Sequence, residues 1–431
     1  MQHLIEFFSF TDPNVRYVVL GNMLLASSAA MVGSFILMQK KSLVGDAVSH
    51  SVLPGICAAF LFAGSKNTGL MLAGAFLTGW LALLAIDYIT ARSKIRKDSA
   101  IGLVLTVFFG TGMVMMTHIQ QTGNAAQSGL DNFIFGKAAT LIGTDLIIFS
   151  ILAGVLLLAV VLFFKAFTLV AFDRTYAEAI GYPVRKLDLL MTSLTVMAVV
   201  AGITAVGVVL MAAMLVTPAA AARYWTDNIR RMVSIAAGFG AFAGLAGAYI
   251  SYTAPAMPTG PWMVVVLSVI AFMSFFFAPR KGIARRWYLQ RKNRDLIAEE
   301  NVLKCFYHLG ERDGNFEAAR TLKELSEMRE LDEQVLKSTL RRLTSAGMVS
   351  RNNRRWQLTG NGLNRAARVV RLHRLWELYL TQYVDIAADH VHDDAETIEH
   401  ILTPELEREL EHQLGYPDRD PHDALIPKTN N

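Results

Sequence analysis

The sequence predicts an all-α polytopic membrane domain of about eight or nine transmembrane helices. A cytoplasmic winged helix-turn-helix and a further helical domain rich in metal-ligating side chains follow it. Three observations carry this. Up to about Pro279 the chain is a series of long apolar runs, whereas from Arg280 onward it is dense in Arg, Lys, Glu and Asp, so the mean hydropathy of +0.35 averages two unlike halves. Basic residues concentrate in every second loop of the apolar half. The polar half reads helix, helix pair, hairpin, the order of a winged helix.

A hydrocarbon core of about 30 Å takes roughly 20 apolar residues per helix. Candidate spans cover about 16–38, 46–64, 68–90, 99–118, 144–165, 187–205, 206–221, 232–251 and 260–278. The run from Leu187 to Ala222 is too long for one crossing and splits near Gly202 to Gly207; its second limb has the length of a short or re-entrant helix. Loops 39–43, 91–98, 165–186 and 222–231 hold thirteen Lys and Arg, against Arg16, Lys66 and Lys137 in the alternate loops and the N-terminus. The positive-inside rule makes the first set cytoplasmic, which places the N-terminus outside and the polar half inside. Met1 to Asn14 lacks the pattern of a cleavable signal peptide.

The stretch Gly45-Asp46-Ala47-Val48-Ser49-His50-Ser51-Val52-Leu53-Pro54-Gly55 sits between strongly apolar runs. Asp46 and His50, four residues apart, stack on one helix face. An ionisable residue in lipid is costly and marks an ion or proton pathway, and a carboxylate beside a neutral imidazole suits a divalent transition metal. The alternative is that the pair only caps and pins neighbouring helices. On the cytoplasmic side, Ala171 to Gly181 reads as a short helix closed by Gly181, placed to meet a motor subunit or simply to connect two spans. Outside, an amphipathic segment at Leu130 to Gly136 is placed to rest on the membrane surface or to meet an external partner.

In the polar half, Leu296 to Leu309 is amphipathic. Thr321 to Met328 and Asp332 to Ala346 form a helix pair, with Asp332 as N-cap, and Gly347 to Leu358 alternates around a turn. Lys337, Ser338, Thr339, Arg341 and Arg342 on the second helix, with Arg351, Arg354 and Arg355 on the wing, suit phosphate contacts and groove entry in operator DNA; the alternative is a winged helix used for protein contacts. A long helix, Gly362 to about Tyr383, carries His373 and Glu377; a second, about His390 to Leu402, carries His392, Glu396, Glu399 and His400 on one stripe. These ligand types in register fit Mn²⁺, Fe²⁺ or Zn²⁺. The net charge of +5 does not by itself imply nucleic-acid binding, and the two cysteines, Cys57 and Cys305, do not suggest a disulfide framework or a zinc knuckle.

Residues 1 to about 280 resemble the permease subunits of ATP-binding-cassette importers for zinc, manganese and iron. The likeness rests on Lys41 to Gly55, Asp98-Ser99-Ala100-Ile101-Gly102, Phe172-Asp173 with Ala177 and Gly181, and Val206 to Ala220. It implies a pair of permeases in the bacterial cytoplasmic (inner) membrane, a cytoplasmic ATP-binding subunit and an extracytoplasmic metal-binding protein. It places Asp46 and His50 on the metal path, and makes Phe172, Asp173, Ala177 and Gly181 candidates for coupling to the ATPase. No GxxxxGK[ST] loop occurs, so the chain is a transporter subunit rather than an enzyme, and ATP hydrolysis falls to a partner.

Residues about 297 to 427 resemble the metal-dependent repressors of the diphtheria toxin repressor and manganese repressor group. The matching stretches are His373 to Glu377, His392 to His400 and the tail Gly415 to Pro427. This puts His373, Glu377, His392, Glu396, Glu399 and His400 on ligand positions for a divalent effector ion. Asn301 and Lys304 depart from the pattern, since a neutral amide is a weak ligand and a protonated amine is none.

The expected organisation is therefore a permease domain at 1–280, a basic juxtamembrane linker at 281–296, a winged helix-turn-helix at 297–366, and a helical metal-binding and dimerisation domain at 367–431. The expected function is ATP-driven import of a divalent transition metal under a metal-responsive regulatory half. The competing readings are a metal/proton antiporter, and a permease whose C-terminal part acts chiefly as a DNA-binding repressor.

Overall fold

A computed structural model describes residues 2–64, 67–121, 136, 138–253, 257–328, 332–383 and 404–427. The chain forms two compact units, Met1–Arg285 and Arg286–Asn431.

In the first unit a short helix, α1 (Gln2–Ser9), precedes α2 (Pro13–Met38), which starts at the N-cap Asp12 with Pro13 in its first turn. There follow α3 (Val44–Ser51), α4 (Leu53–Ala63), α5 (Thr68–Arg92), α6 (Lys97–Gln121), α7 (Gly143–Leu162), α8 (Phe164–Phe172), α9 (Arg174–Ala179), α10 (Val184–Val206), α11 (Val208–Arg223), α12 (Ile229–Thr253) and α13 (Thr259–Phe277). Among the described residues eight segments are long and apolar enough to cross a membrane, with α3 and α4 acting as one. The ninth expected span, α11, has 16 residues, about 24 Å of helix, shorter than a full hydrocarbon core, yet it returns the chain to the end where Lys165 and Arg230 line one groove. The outer segment 130–136 lies almost wholly outside the described residues.

Helices α2 and α10 are the centre of the bundle: 72% of each apolar window is buried, against 22–33% for α5, α6, α7 and α13, whose outward faces carry bare Leu, Val, Ile and Phe. Such faces are stable only against lipid or another apolar surface. Gly207 breaks the apolar run between α10 and α11 at φ +91°, a backbone region that favours glycine. Gly33 lets α2 touch α11 directly, since a Cβ there would stand 1.8 Å from the Leu215 carbonyl oxygen. The four basic loops gather at one end. Lys41 and Lys97 share a cleft, Lys41 and Arg174 both reach Asp188, and Lys165 lines a groove with Asp227 and Arg230. There too, Asp227 pairs with Lys281 and with Arg280 (3.6 Å).

The second unit begins within α14 (Ile283–Asp313), so the stretch expected as a linker is helical from Ile283 onward. Strand β1 (Arg320–Thr321) leads into α15 (Leu322–Met328) and α16 (Glu333–Ser345), whose N-cap Asp332 accepts from the amides of Gln334 (2.8 Å) and Val335 (3.2 Å). Strands β2 (Val349–Asn352) and β3 (Arg355–Leu358) form the hairpin, turning through Asn353 at φ +54°, which asparagine tolerates. The antiparallel order is β1-β3-β2. Leu336, Leu340 and Leu343 pack with Val302, Leu303 and Phe306 of α14, the core of a winged helix. Helices α17 (Gly360–Tyr383) and α18 (Pro404–Gln413) follow, and the tail 418–427 is tied back to α17 through Arg371 and Arg374.

Candidate metal path, coupling helix and regulatory half

Asp46 lies in the first turn of α3, where the helix N-terminus favours a carboxylate, and His50 follows one turn later. Oδ1 of Asp46 stands 3.5 Å from Nε2 of His50, with the side chains 47% and 21% exposed. The other ring nitrogen, Nδ1, is buried and has no hydrogen-bond partner, and the ring meets Phe109 edge-on at 5.0 Å. The span breaks just beyond: Pro54 has no N–H to give the carbonyl four residues back, that of His50. The arrangement is a loosely paired acid and imidazole on an accessible face beside a helix break. It can bind a cation without enclosing it.

Phe172, at the end of α8, is 63% exposed. Asp173 caps α9 by accepting from the Tyr176 amide at 2.8 Å, and Gly181 closes the turn by donating to the Glu178 carbonyl at 3.1 Å. Ala177 is fully buried, so α9 is seated by this one small face and bare on the rest. Sequence reading missed Asp188, which reaches both α9 and the turn before α3. Contacts between positions 41, 174 and 188 leave no periodic signal in one sequence.

In the regulatory half His373 and Glu377 are both 3% exposed and pair at 3.1 Å. His392, Glu396, Glu399 and His400 lie outside the described residues. Among the described residues no three His, Cys, Asp or Glu side chains cluster as a metal cage. Oδ1 of Asn301 on α14 is buried without a hydrogen-bond partner, and an orphaned carbonyl oxygen is a donor that a cation would satisfy. Lys304, one turn on, is 4% exposed and places an amine in the same stretch of helix. The His373–Glu377 pair and, separately, the Asn301 carbonyl oxygen are donor types that suit a divalent ion, and the Lys304 amine is not.

Beside that pair, Arg374 clamps Glu311 through two 2.8 Å bonds and reaches Asp420 at 3.2 Å. Burial pushes the Glu311 carboxyl up, but hydrogen bonds from His308 and Arg374 outweigh it and hold the group at about 2.

The candidate DNA face divides. Lys337, Ser338, Arg341, Arg351, Arg354 and Arg355 are exposed. Thr339 is not: it is fully buried, its hydroxyl accepting from Arg342 at 3.3 Å, which corrects its assignment to a groove contact. Arg342 is drawn back to Glu299 (2.8 Å) and Asp295 (3.5 Å) on α14. Lys337 pairs with Glu333 at 2.6 Å, and Arg351 lies over the Trp356 ring at 5.5 Å.

A bundle of eight apolar spans with an accessible acid–imidazole pair beside a helix break, joined to a winged-helix unit, defines a membrane permease carrying a regulatory domain. Comparison with known proteins narrows that class. Residues 11–278 match the ABC 3 transport family, and residues 359–428 match the iron dependent repressor, metal binding and dimerisation domain. The chain belongs to the ABC 3 transport family. It is 40% identical over 376 residues to the manganese transport system membrane protein MntC of Bacillus subtilis, covering 87% of this chain and 86% of that one. That is more than the first unit can supply, so the likeness runs into the second. It is also 40% identical over 291 residues to the zinc transport system membrane protein TroC of Treponema pallidum, covering 68% of this chain and 97% of that one. The solved structure of PsaBC from Streptococcus pneumoniae in complex with Fab aligns at a TM-score of 0.58 and 29% identity, over 67% of this chain and 99% of that one. The chain is a multi-pass membrane permease subunit of a metal transport system, not an enzyme, and the antiporter reading falls away.

Proposed function

We propose that the chain imports a divalent first-row metal ion, manganese foremost, across the bacterial inner membrane, with its second unit in the cytoplasm. The carrying observation is the Asp46–His50 pair, 3.5 Å apart and partly exposed in an otherwise apolar span. One carboxylate and one imidazole with no thiolate suit Mn²⁺ and Fe²⁺ well and Zn²⁺ adequately. A carrier must also release its ion, and two loose ligands per chain allow this where a closed cage would not. An extracytoplasmic metal-binding protein delivers the ion. Two permeases enclose the path, and a cytoplasmic ATP-binding subunit docks on the bare face of α9 around Phe172 and Asp173. The second unit senses the same class of ion through His373, Glu377 and the His392–His400 stripe, and adjusts transport to cytoplasmic supply. The exposed Lys337, Arg341 and wing arginines keep a second reading alive, in which this unit also binds operator DNA.

The test is uptake of radiolabelled Mn²⁺ by the purified complex, with Fe²⁺ and Zn²⁺ as competitors. ATP-dependent uptake that is lost in both Asp46→Ala and His50→Ala, with subunit assembly intact, is the expected result. Normal uptake in both variants would sink the assignment of the path.

A further inference from the structure

Helix α9 is exposed on nearly every side, and Arg174, its first residue, links it by charge to the bundle. Nη1 of Arg174 binds Oδ2 of Asp188 at 2.8 Å. Oδ1 of the same carboxylate faces Nζ of Lys41 at 3.9 Å. The two inner members are shielded, with Asp188 20% and Lys41 27% exposed against 56% for Arg174. Lys97 at the head of α6 lies in the field of Lys41, Asp87, Asp188 and Arg174, so these charges form one group at the basic end of the bundle. The backbone of Lys41 is fixed on both sides. Its amide donates to the Ile36 carbonyl (3.0 Å) and its carbonyl accepts from the Val44 amide (3.0 Å), which fastens it to the end of α2 and the start of α3. Five positions further on is Asp46.

We propose that Asp188 is a positioning residue that ties α9 to the turn opening α3, so that a displacement of α9 moves Asp46 and His50. Each carboxylate oxygen serves a different element, which is what a link needs and a simple anchor does not. Nothing in this path requires α10 itself to deform, since Asp188 is near its start and the buried body of the helix lies beyond. A carboxylate partly shielded from water holds its partners more firmly than a surface pair would. The inference rests on the reading of α9 as the docking point for the ATP-hydrolysing partner.

The experiment uses the full chain with its ATP-binding subunit and metal-binding protein in proteoliposomes. It measures Mn²⁺ imported per ATP hydrolysed. In Asp188→Asn this ratio is expected to fall about fivefold, the factor that ~1 kcal/mol of ion pairing gives. Asp188→Glu, which keeps the charge, is expected to restore most of it. Lys41→Gln and Arg174→Gln should each lower the ratio, because each cuts one arm. A wild-type ratio in Asp188→Asn overturns the proposal. So does a loss in Arg174→Gln with none in Lys41→Gln, which would make Asp188 an anchor for α9 alone. Absence of ATP-driven uptake in the wild-type complex instead overturns the import reading on which the link depends.

Discussion

Two acid–imidazole pairs in this chain share a spacing and differ in everything else. Asp46 and His50 stand 3.5 Å apart with side chains 47% and 21% exposed; His373 and Glu377 stand 3.1 Å apart with both at 3%. The first pair is held by one helix beside a break, with a ring nitrogen left unpaired. The second sits in the middle of a 24-residue helix whose neighbour, Arg374, is bound to Glu311 and Asp420. Spacing places two ligands on one face; surroundings decide how long they keep an ion. A loose, accessible pair suits passage, and a tight, buried one suits retention and structure.

The sharpest way to break that contrast is to truncate both pairs. Asp46→Ala and His50→Ala should each cut uptake by roughly 100-fold, the scale of losing one charged ligand. They should leave the melting temperature of the detergent-solubilised protein within a few degrees of wild type, because neither side chain is part of the packed core. Truncation in the second unit should do the reverse. Glu377→Ala leaves His373 in a buried site without its carboxylate and should cost about 3 kcal/mol of that unit's stability. Its readout is thermal unfolding of the full chain followed by tryptophan fluorescence. Uptake that falls as far in Glu377→Ala as in Asp46→Ala, with no loss of stability, would erase the distinction.

The next effect is smaller and depends on pH. Glu311 is held at about 2 in the folded unit against an ordinary value of 4.5. A depressed carboxyl adds stability that is fully present above the unfolded value and disappears as pH falls through the folded one. The second unit should therefore weaken between pH ~4.5 and ~2, by about 2 kcal/mol after allowance for partial solvent exposure. Glu311→Gln should flatten that part of the acid-unfolding profile. An unchanged profile would mean that the Arg374 clamp contributes little.

How much of this was legible in the sequence differs between the halves in the same physical sense. Apolar run length, basic-loop alternation and the i, i+4 spacing of Asp46 and His50 are local patterns, and the bundle, the gathering of its basic loops at one end and the pair all follow from them. The division at Gly207 was also visible, since only a break could make two elements of a run that long. Thr339 was misjudged although its signal was present: it stands three residues after Leu336 and four before Leu343, on the buried stripe, and its hydroxyl disguised a core position. Arg342 could not have been read, because the carboxylate that draws it off the DNA face is 43 residues away on α14. Asp188 was invisible for the same reason, as its partners lie in two other loops.

The smallest predicted effect bears on whether the second unit also reads DNA. Lys337 and Glu333 form an exposed i, i+4 pair on α16, worth at most about 0.5 kcal/mol, so Lys337→Ala should leave stability almost untouched. Its effect on DNA binding would be of another kind. A lysine that neutralises one phosphate contributes about one counterion to the salt dependence, so its loss should lower the slope of log affinity against log salt by about 1 and weaken all sequences alike. Arg342→Ala gives the contrasting outcome, because that guanidinium already serves Glu299 and Asp295: stability should fall while the salt slope of any DNA binding stays the same. A full-length protein that shifts operator DNA in neither wild-type nor variant form would leave the basic face of α16 to protein contacts. The winged helix would then act on the permease and not on a gene.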